Sequence, residues 1–212
     1  MIRRPPRSTL DRSSAASDVY KRQLVNSPDF KDPNPDLEQY ATPVDIAVEI
    51  VKKANSRGHL SRKVADLGCG TGRLSIGAAI LGADVTGFEI DAKALDIAIQ
   101  YSKENNLDIK WVNGAIENID EEFDTVLMNP PFGAQRPGAD RIFLEKAIEI
   151  ANNIWTIHMA ETRNFVEKFV GNHPAKIESR YEFDFVIPRT MPFHTKDMAN
   201  QKAILYHIAS LR

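Results

Sequence analysis

Cysteine is nearly missing from this sequence; Cys69 is the only one. No disulfide framework can form within the chain, and no cysteine-based zinc site can be built, which fits a reducing cytoplasm. Long apolar runs are missing too, and none approaches the roughly 20 residues of a membrane-spanning helix. No single sign of charge dominates, since 27 Lys and Arg stand against 29 Asp and Glu. What remains is a chain of 212 residues, 42% hydrophobic and 26% charged. That is enough to bury one real core in a single domain.

The first 23 residues, "MIRRPPRSTLDRSSAASDVYKRQ", do not match the rest. They are rich in Arg and Ser, show no hydrophobic period and lack the apolar centre of a signal peptide. "DVYKRQ" also reads as the translation of a transposon-end adapter used in sequencing libraries. The expectation is that segment 1–23 is read-through fused to a gene fragment whose own start is missing, ahead of a basic nucleic-acid-binding arm or a transit peptide. The segment holds six Lys and Arg and two acids, which leaves 21 bases against 27 acids and a formal charge of −6 on the remainder. An acidic body is an awkward partner for nucleic acid, whose non-specific affinity comes mainly from phosphate neutralisation. A local basic patch or a second subunit would have to supply it.

From Leu24 the chain opens with a proline-punctuated loop, "NSPDFKDPNPDLEQYATP". Thr42 before Pro43 reads as an N-cap followed by proline at the first helical position. The helix "VDIAVEIVKKA" then places Val44, Ala47, Val48 and Val51 on one face, and Gly58 is a sensible stop. Beyond it, strand and helix patterns alternate: "KVADL", "TGRLSIGAAILG", "DVTGFEI", "DAKALDIAIQYSKENN", "IKWV", "FDTVLM", "RIFLEKAIEIA", "NIWTIHM" and "ETRNFVEKFVG". The chain closes on two strands, "KIESRYEFDFVIP" and "KAILYHIASL", with no helix between them. Alternation implies an α/β fold with a mostly parallel sheet and helices on both faces, and the closing pair implies an antiparallel edge. The combination resembles the Rossmann-like, seven-stranded sheet of class I methyltransferases, of order 3-2-1-4-5-7-6 with the last strand antiparallel.

"VADLGCGTGRLS" places Gly68, Gly70 and Gly72 directly after a strand and before a helix, where backbone can pass close to a ligand without a Cβ collision. The spacing is G-x-G-x-G with Asp66 just ahead, which favours S-adenosylmethionine over a pyrophosphate ligand. Glu89 ends the next strand about twenty residues on, where an acid accepts bonds from ribose hydroxyls. Asp91 reads as a helix N-cap.

The fourth strand stops abruptly at Asn129-Pro130-Pro131-Phe132. Its C-terminal end faces the same crevice as the glycine turn. The prolines hold the backbone extended and fix a carbonyl beside an amide side chain. The Asn129 side-chain oxygen and the Pro130 carbonyl can together grip both hydrogens of a planar amino group. That favours a pyramidal nitrogen whose lone pair points at a sulfonium methyl. Phe132 offers a flat face to a base taken out of its stack. No metal is needed for this chemistry.

These residues resemble the archaeal and eukaryotic ribosomal RNA adenine-N6 methyltransferases of the methyltransferase-like protein 5 type, from about Leu24 to the C-terminus. The resemblance rests on "LEQYATP", "VADLGCGTGRLSIGAAILGA", "GFEIDAKAL" and "FDTVLMNPPFG". It implies that Gln39 and Thr42 fold over the cofactor, with Gly68, Gly70 and Arg73 of the loop. The family's acidic residue after the third strand is replaced here by Asn113, Gly114 and Ala115, so Asn113 is expected at the cofactor adenine. The resemblance also implies a small zinc-ribbon activator subunit that adds strands along the edge strand "IKWV". Ile109 and Trp111 fit such a covered edge, or else turn inward in a monomer. For RNA contact the basic candidates are Arg189, His194, Lys196 and Lys202 near the last loop, with Arg136 and Arg141 beside the active-site loop. His158 and His207 read as structural, and His59 and His173 suggest nothing.

The resulting expectation is an S-adenosylmethionine-dependent enzyme that methylates adenosine N6 in structured RNA, with small-subunit ribosomal RNA as the substrate. Two alternatives compete with it. One is methylation of a glutamine side-chain amide, as in release-factor methyltransferases, which carry a similar Asn-Pro-Pro element. The other is a catalytically silent RNA-binding subunit, against which the intact Asn129-Pro130-Pro131-Phe132 argues.

Overall fold

The computed structural model describes residues 21–133, 138–185 and 201–212. Segment 1–23 therefore falls almost wholly outside the described residues, as do Arg136, Arg189, His194 and Lys196. Seven strands form one sheet: β1 (Lys63–Leu67), β2 (Asp84–Glu89), β3 (Ile109–Asn113), β4 (Phe123–Met128), β5 (Ala151–Met159), β6 (Ala175–Phe185) and β7 (Gln201–Ser210). Their order is β3-β2-β1-β4-β5-β7-β6. The pairs from β3 to β5 are parallel, and β7 runs antiparallel to both β5 and β6. The fold class expected from the alternation is the one observed.

Five helices of two turns or more flank the sheet among the described residues: α1 (Val44–Ser56), α2 (Arg73–Ile80), α3 (Ala92–Glu104), α4 (Ala139–Ile150) and α5 (Arg163–Gly171). Central strands are buried on both faces, so they read as near-continuous apolar runs. Val64, Leu127, Trp155, Ile157 and Leu205 point to the face covered by α1 and α2. Ala65, Leu67, Val126, Met128, Ile154 and Tyr206 point to the opposite face, under α4 and α5. Neighbours in sequence thus enter different cores, as a period of two requires.

Helix ends show where local reading works and where it fails. Asp91 caps α3 by accepting from the Lys93 amide at 3.0 Å. Gly58 follows α1 at φ 75°, and the bonds from Gly58 N to Asn55 O and from His59 N to Ala54 O close a Schellman motif. Thr42 is not the N-cap of α1: Pro43 occupies that position with no side-chain cap. The Thr42 hydroxyl is taken instead by Asn129, 87 residues away.

At the β3 edge the apolar side chains turn inward. Ile109 is buried, and Trp111 donates from its ring nitrogen to Ser102 Oγ at 3.0 Å. Its ring lies over Gly72 and Gly87. The side chains expected to call for a cover are therefore covered by the chain itself.

Behind the sheet, His207 stacks on Trp155 with ring centroids 4.6 Å apart, and Arg57 donates to His207 Nδ1 at 2.7 Å. His59, which the sequence left without a role, accepts from the Trp155 ring nitrogen at 3.1 Å. Because Arg57 can only donate, His207 carries its proton on Nε2, facing Asn153 Oδ1. Burial, with His59 and Arg57 nearby, lowers the His207 pKa to about 4. The unfolded chain takes up that proton below about pH 6.5, so the stability His207 contributes is lost as pH falls through 6.5 toward 4. Urea denaturation at successive pH values should therefore show a shallower decline over that window in His207→Gln than in the parent. Parallel slopes would count against a neutral, buried His207.

Candidate active site

The C-terminal ends of β1, β2 and β4 open on one crevice, as open α/β sheets arrange their ligand sites. A cavity of about 320 Å³ lies there, within the size range of small-molecule pockets. Its floor is the turn after β1. Gly70 sits at φ 55°, and a Cβ on it would lie 2.6 Å from the Phe30 ring. Only glycine meets both conditions.

Two acids anchor this turn. Asp66 Oδ2 accepts from the Ser75 amide at 2.9 Å and the Ser75 hydroxyl at 2.6 Å, which ties β1 to α2. Its carboxyl is buried, and burial pushes its pKa up to about 7 against the opposing Ser75 bonds. Glu89 accepts from the Gly70 amide through Oε2 and from the Asp91 amide through Oε1, both at 2.8 Å. Burial raises its pKa as well, and those amides pull it back. Both acids line the cavity, together with Gly68, Gly70 and Arg73.

The segment 24–42 lies across this turn as a strap. Leu24 is fully buried at one end. Arg73, expected as a cofactor ligand, spends its guanidinium on the strap: Nε donates to Ser27 Oγ at 2.8 Å and Nη1 to the Thr42 carbonyl at 2.7 Å. Nη2 reaches the Ser27 and Pro28 carbonyls at 3.4 Å each. Gln39 accepts from the Asn34 amide and donates to Asp91 Oδ2, each at 2.7 Å. Asp91 is therefore more than a helix cap, since its second oxygen fastens the strap. Gln39 and Thr42 both line the cavity.

On the β4 side, Asn129 and Pro131 line the same cavity. Asn129 Oδ1 accepts from the Tyr40 hydroxyl at 2.9 Å, and its Nδ2 donates to Thr42 Oγ1 at 3.0 Å. Pro130 is buried, and Phe132 is half-buried with its ring 5.6 Å from that of Tyr40. The Phe132 amide donates to Glu38 Oε2 at 2.8 Å. Asn113 is not part of the lining: its Nδ2 is spent on the Glu89 and Ile90 carbonyls at 2.9 and 3.1 Å. Gly114 and Glu117 line the cavity in its place. The sequence reading passed over Glu38, Tyr40, Phe30 and Glu117. Only the first two carried a usable signal, because they stand inside the discriminating "LEQYATP" element.

The Methyltransferase small domain family matches residues 41–157. Over 177 residues the chain is 37% identical to the rRNA N(6)-adenosine-methyltransferase METTL5 of Danio rerio, covering 79% of this chain and 86% of that relative. The chain belongs to the METTL5 family of methyltransferases. A second relative, MJ0284 of Methanocaldococcus jannaschii, is 39% identical over 194 residues, covering 84% of this chain and 88% of its own. The crystal structure of PH1948 from Pyrococcus horikoshii superposes with a TM-score of 0.85 at 38% identity, covering 92% of this chain and 98% of that one. In this METTL5-family chain the strap, the glycine turn and the Asn129 loop meet at one cavity.

Replacing Arg73 by Met removes every donor that holds the strap to α2. Charge-assisted bonds of this kind contribute about 1.5–3 kcal/mol each before compensation, so a net loss of about 3 kcal/mol is expected in urea unfolding. A variant as stable as the parent would mean that the Arg73 bonds to the strap add nothing to the fold's stability.

Proposed function

We propose that this chain transfers a methyl group from S-adenosylmethionine to N6 of an adenosine in structured RNA, with small-subunit ribosomal RNA as the substrate. The observation that carries the reading is the Asn129 amide, held on the wall of the same cavity that the glycine turn and the two buried carboxylates line. The name of the Danio rerio relative supports adenosine in ribosomal RNA as the acceptor.

The residues fit the cofactor. A cleft floored by Gly68 and Gly70 admits backbone-close binding, Glu89 at the end of β2 would hold ribose hydroxyls, and Asp66 would hold the cationic amino-acid part. When bound, S-adenosylmethionine supplies an electrophilic methyl. This chain's own residues prepare the acceptor. Asn129 Oδ1 and the Pro130 carbonyl take hydrogens of the adenine amino group, so its lone pair is less engaged with the ring. Phe132 supports the extruded base by stacking. The amine nitrogen gains the methyl and releases one hydrogen as a proton to water.

The reading extends to a partner. The outer edge of β3 pairs with no strand among the described residues, and a zinc-ribbon activator fits that edge through backbone bonding. Its charge would offset the acidic body. No helix among the described residues is long and apolar enough to cross a membrane, and the reading places the enzyme in the cytoplasm.

Asn129→Ala is expected to abolish methylation, measured by nucleoside mass spectrometry of treated ribosomal RNA, while S-adenosylmethionine binding in calorimetry stays within about twofold. Undiminished turnover would remove the mechanism, and methyl transfer to a release-factor glutamine instead of RNA would replace the substrate.

Asp66 adds a pH signature. A cationic ligand binds best to its ionised form, so S-adenosylmethionine affinity should rise as pH climbs from about 5.5 toward 7, by up to about tenfold per unit. Asp66→Asn should flatten that rise, and a slope equal to the parent's would exclude Asp66 as its source.

A further inference from the structure

Within the strap, neighbouring side chains grip different parts of the site. Gln39 holds Asp91, Glu38 holds the Phe132 amide, and Tyr40 and Thr42 hold the two ends of the Asn129 amide. The Tyr40 and Glu38 bonds span 89 and 94 residues of chain and end on the two residues that present an acceptor oxygen and a ring to the substrate. Arg73 and Gln39 already fasten the strap at other points. Tyr40 and Glu38 are therefore not needed merely to keep it in place.

We infer that Tyr40 and Glu38 are positioning residues for methyl transfer, setting the Asn129 amide and the Phe132 backbone before the target base arrives. The inference rests on the adenine-N6 reading above. An asparagine amide has two nearly isosteric orientations. Only one offers oxygen to an amino group; the other offers hydrogens that repel it. In the observed arrangement the Tyr40 hydroxyl donates to Oδ1 and Thr42 Oγ1 accepts from Nδ2, and because a phenol is a better donor than acceptor this pairing favours the productive orientation. An amide oxygen has two lone pairs, so the Tyr40 bond at 2.9 Å leaves one for the guest.

Glu38 carries a second mark of a set geometry. Its backbone lies at φ 51° and ψ 38°, a left-handed conformation that is strained for a residue with a Cβ. That conformation goes with a carboxylate that reaches the Phe132 amide at 2.8 Å. The amide fixes the peptide plane that leads into the Phe132 ring. The Tyr40 ring, 5.6 Å from that of Phe132 and tilted by 33°, backs it from one side.

The test uses the full chain and ribosomal RNA, with turnover read by nucleoside mass spectrometry and cofactor affinity by calorimetry. Tyr40→Phe should lower kcat by about ten- to a hundredfold, with the Kd for S-adenosylmethionine and the melting temperature close to the parent's. Thr42→Val should also lower kcat, and Thr42→Ser should restore activity. Glu38→Ala should lower kcat, while Glu38→Gln, whose side-chain oxygen still accepts from the Phe132 amide, should recover it. Turnover within twofold of the parent in both Tyr40→Phe and Glu38→Ala would overturn the inference. So would a joint loss of kcat and cofactor affinity, which marks a loosened strap. A parent chain that methylates no adenine defeats the functional reading itself, and the inference with it.

Discussion

One buried cation organises the mouth of this enzyme. The Arg73 guanidinium opens α2 and reaches Ser27, Pro28 and Thr42. Each of those acceptors is a neutral oxygen. Burial lowers the Arg73 pKa while the Asp29 carboxylate pulls it back up, and a guanidinium stays charged in a protein, so the strap holds the charge with its dipoles and with Asp29. Losing any of those oxygens would expose a charge that the interior cannot stabilise alone. The glycine turn and the strap are therefore one unit, and the Thr42 carbonyl passes the restraint on to the residue that holds Asn129.

The two buried carboxylates are structural before they are functional. Asp66 ties β1 to α2 through Ser75, and Glu89 closes the turn on itself through Gly70 and Asp91. Their pKa values rise because water is excluded, and each keeps a wall on the cavity. Asp36, Glu38 and Glu117 also line the same cavity. An acidic lining does not attract a polyanion, so attraction for a phosphate backbone has to come from beyond it. Selection of the base can then rest on hydrogen bonding and stacking inside.

The α/β class was legible because strand and helix patterns alternate, and the closing pair without a helix marks an antiparallel hairpin at one edge; the strand order followed from the resemblance to class I methyltransferases. Asp91 and Gly58 were legible because capping is local chemistry. Thr42 misled for the same reason: its neighbours promise a cap, while its hydroxyl answers to Asn129 far along the chain. Arg73 beside the glycines looks like a ligand, and only the folded strap reveals where its donors go. Asn113 does stand at the end of β3, but two backbone carbonyls claim its amine before a guest could. Tyr40 and Glu38 are ordinary letters until the chain closes across about ninety residues. Long-range polar pairs leave no period to read.

The Trp111 ring has an outcome of a different kind. A methyl carbon added at Gly87 would fall 2.5 Å from it, and one added at Gly72 would fall 2.6 Å away. An indole is rigid and is tied to Ser102, so it cannot step aside. Drift at these positions has a direction: the indole has to shrink before either glycine can grow, and lineages that retain the large ring are bound to keep both small partners.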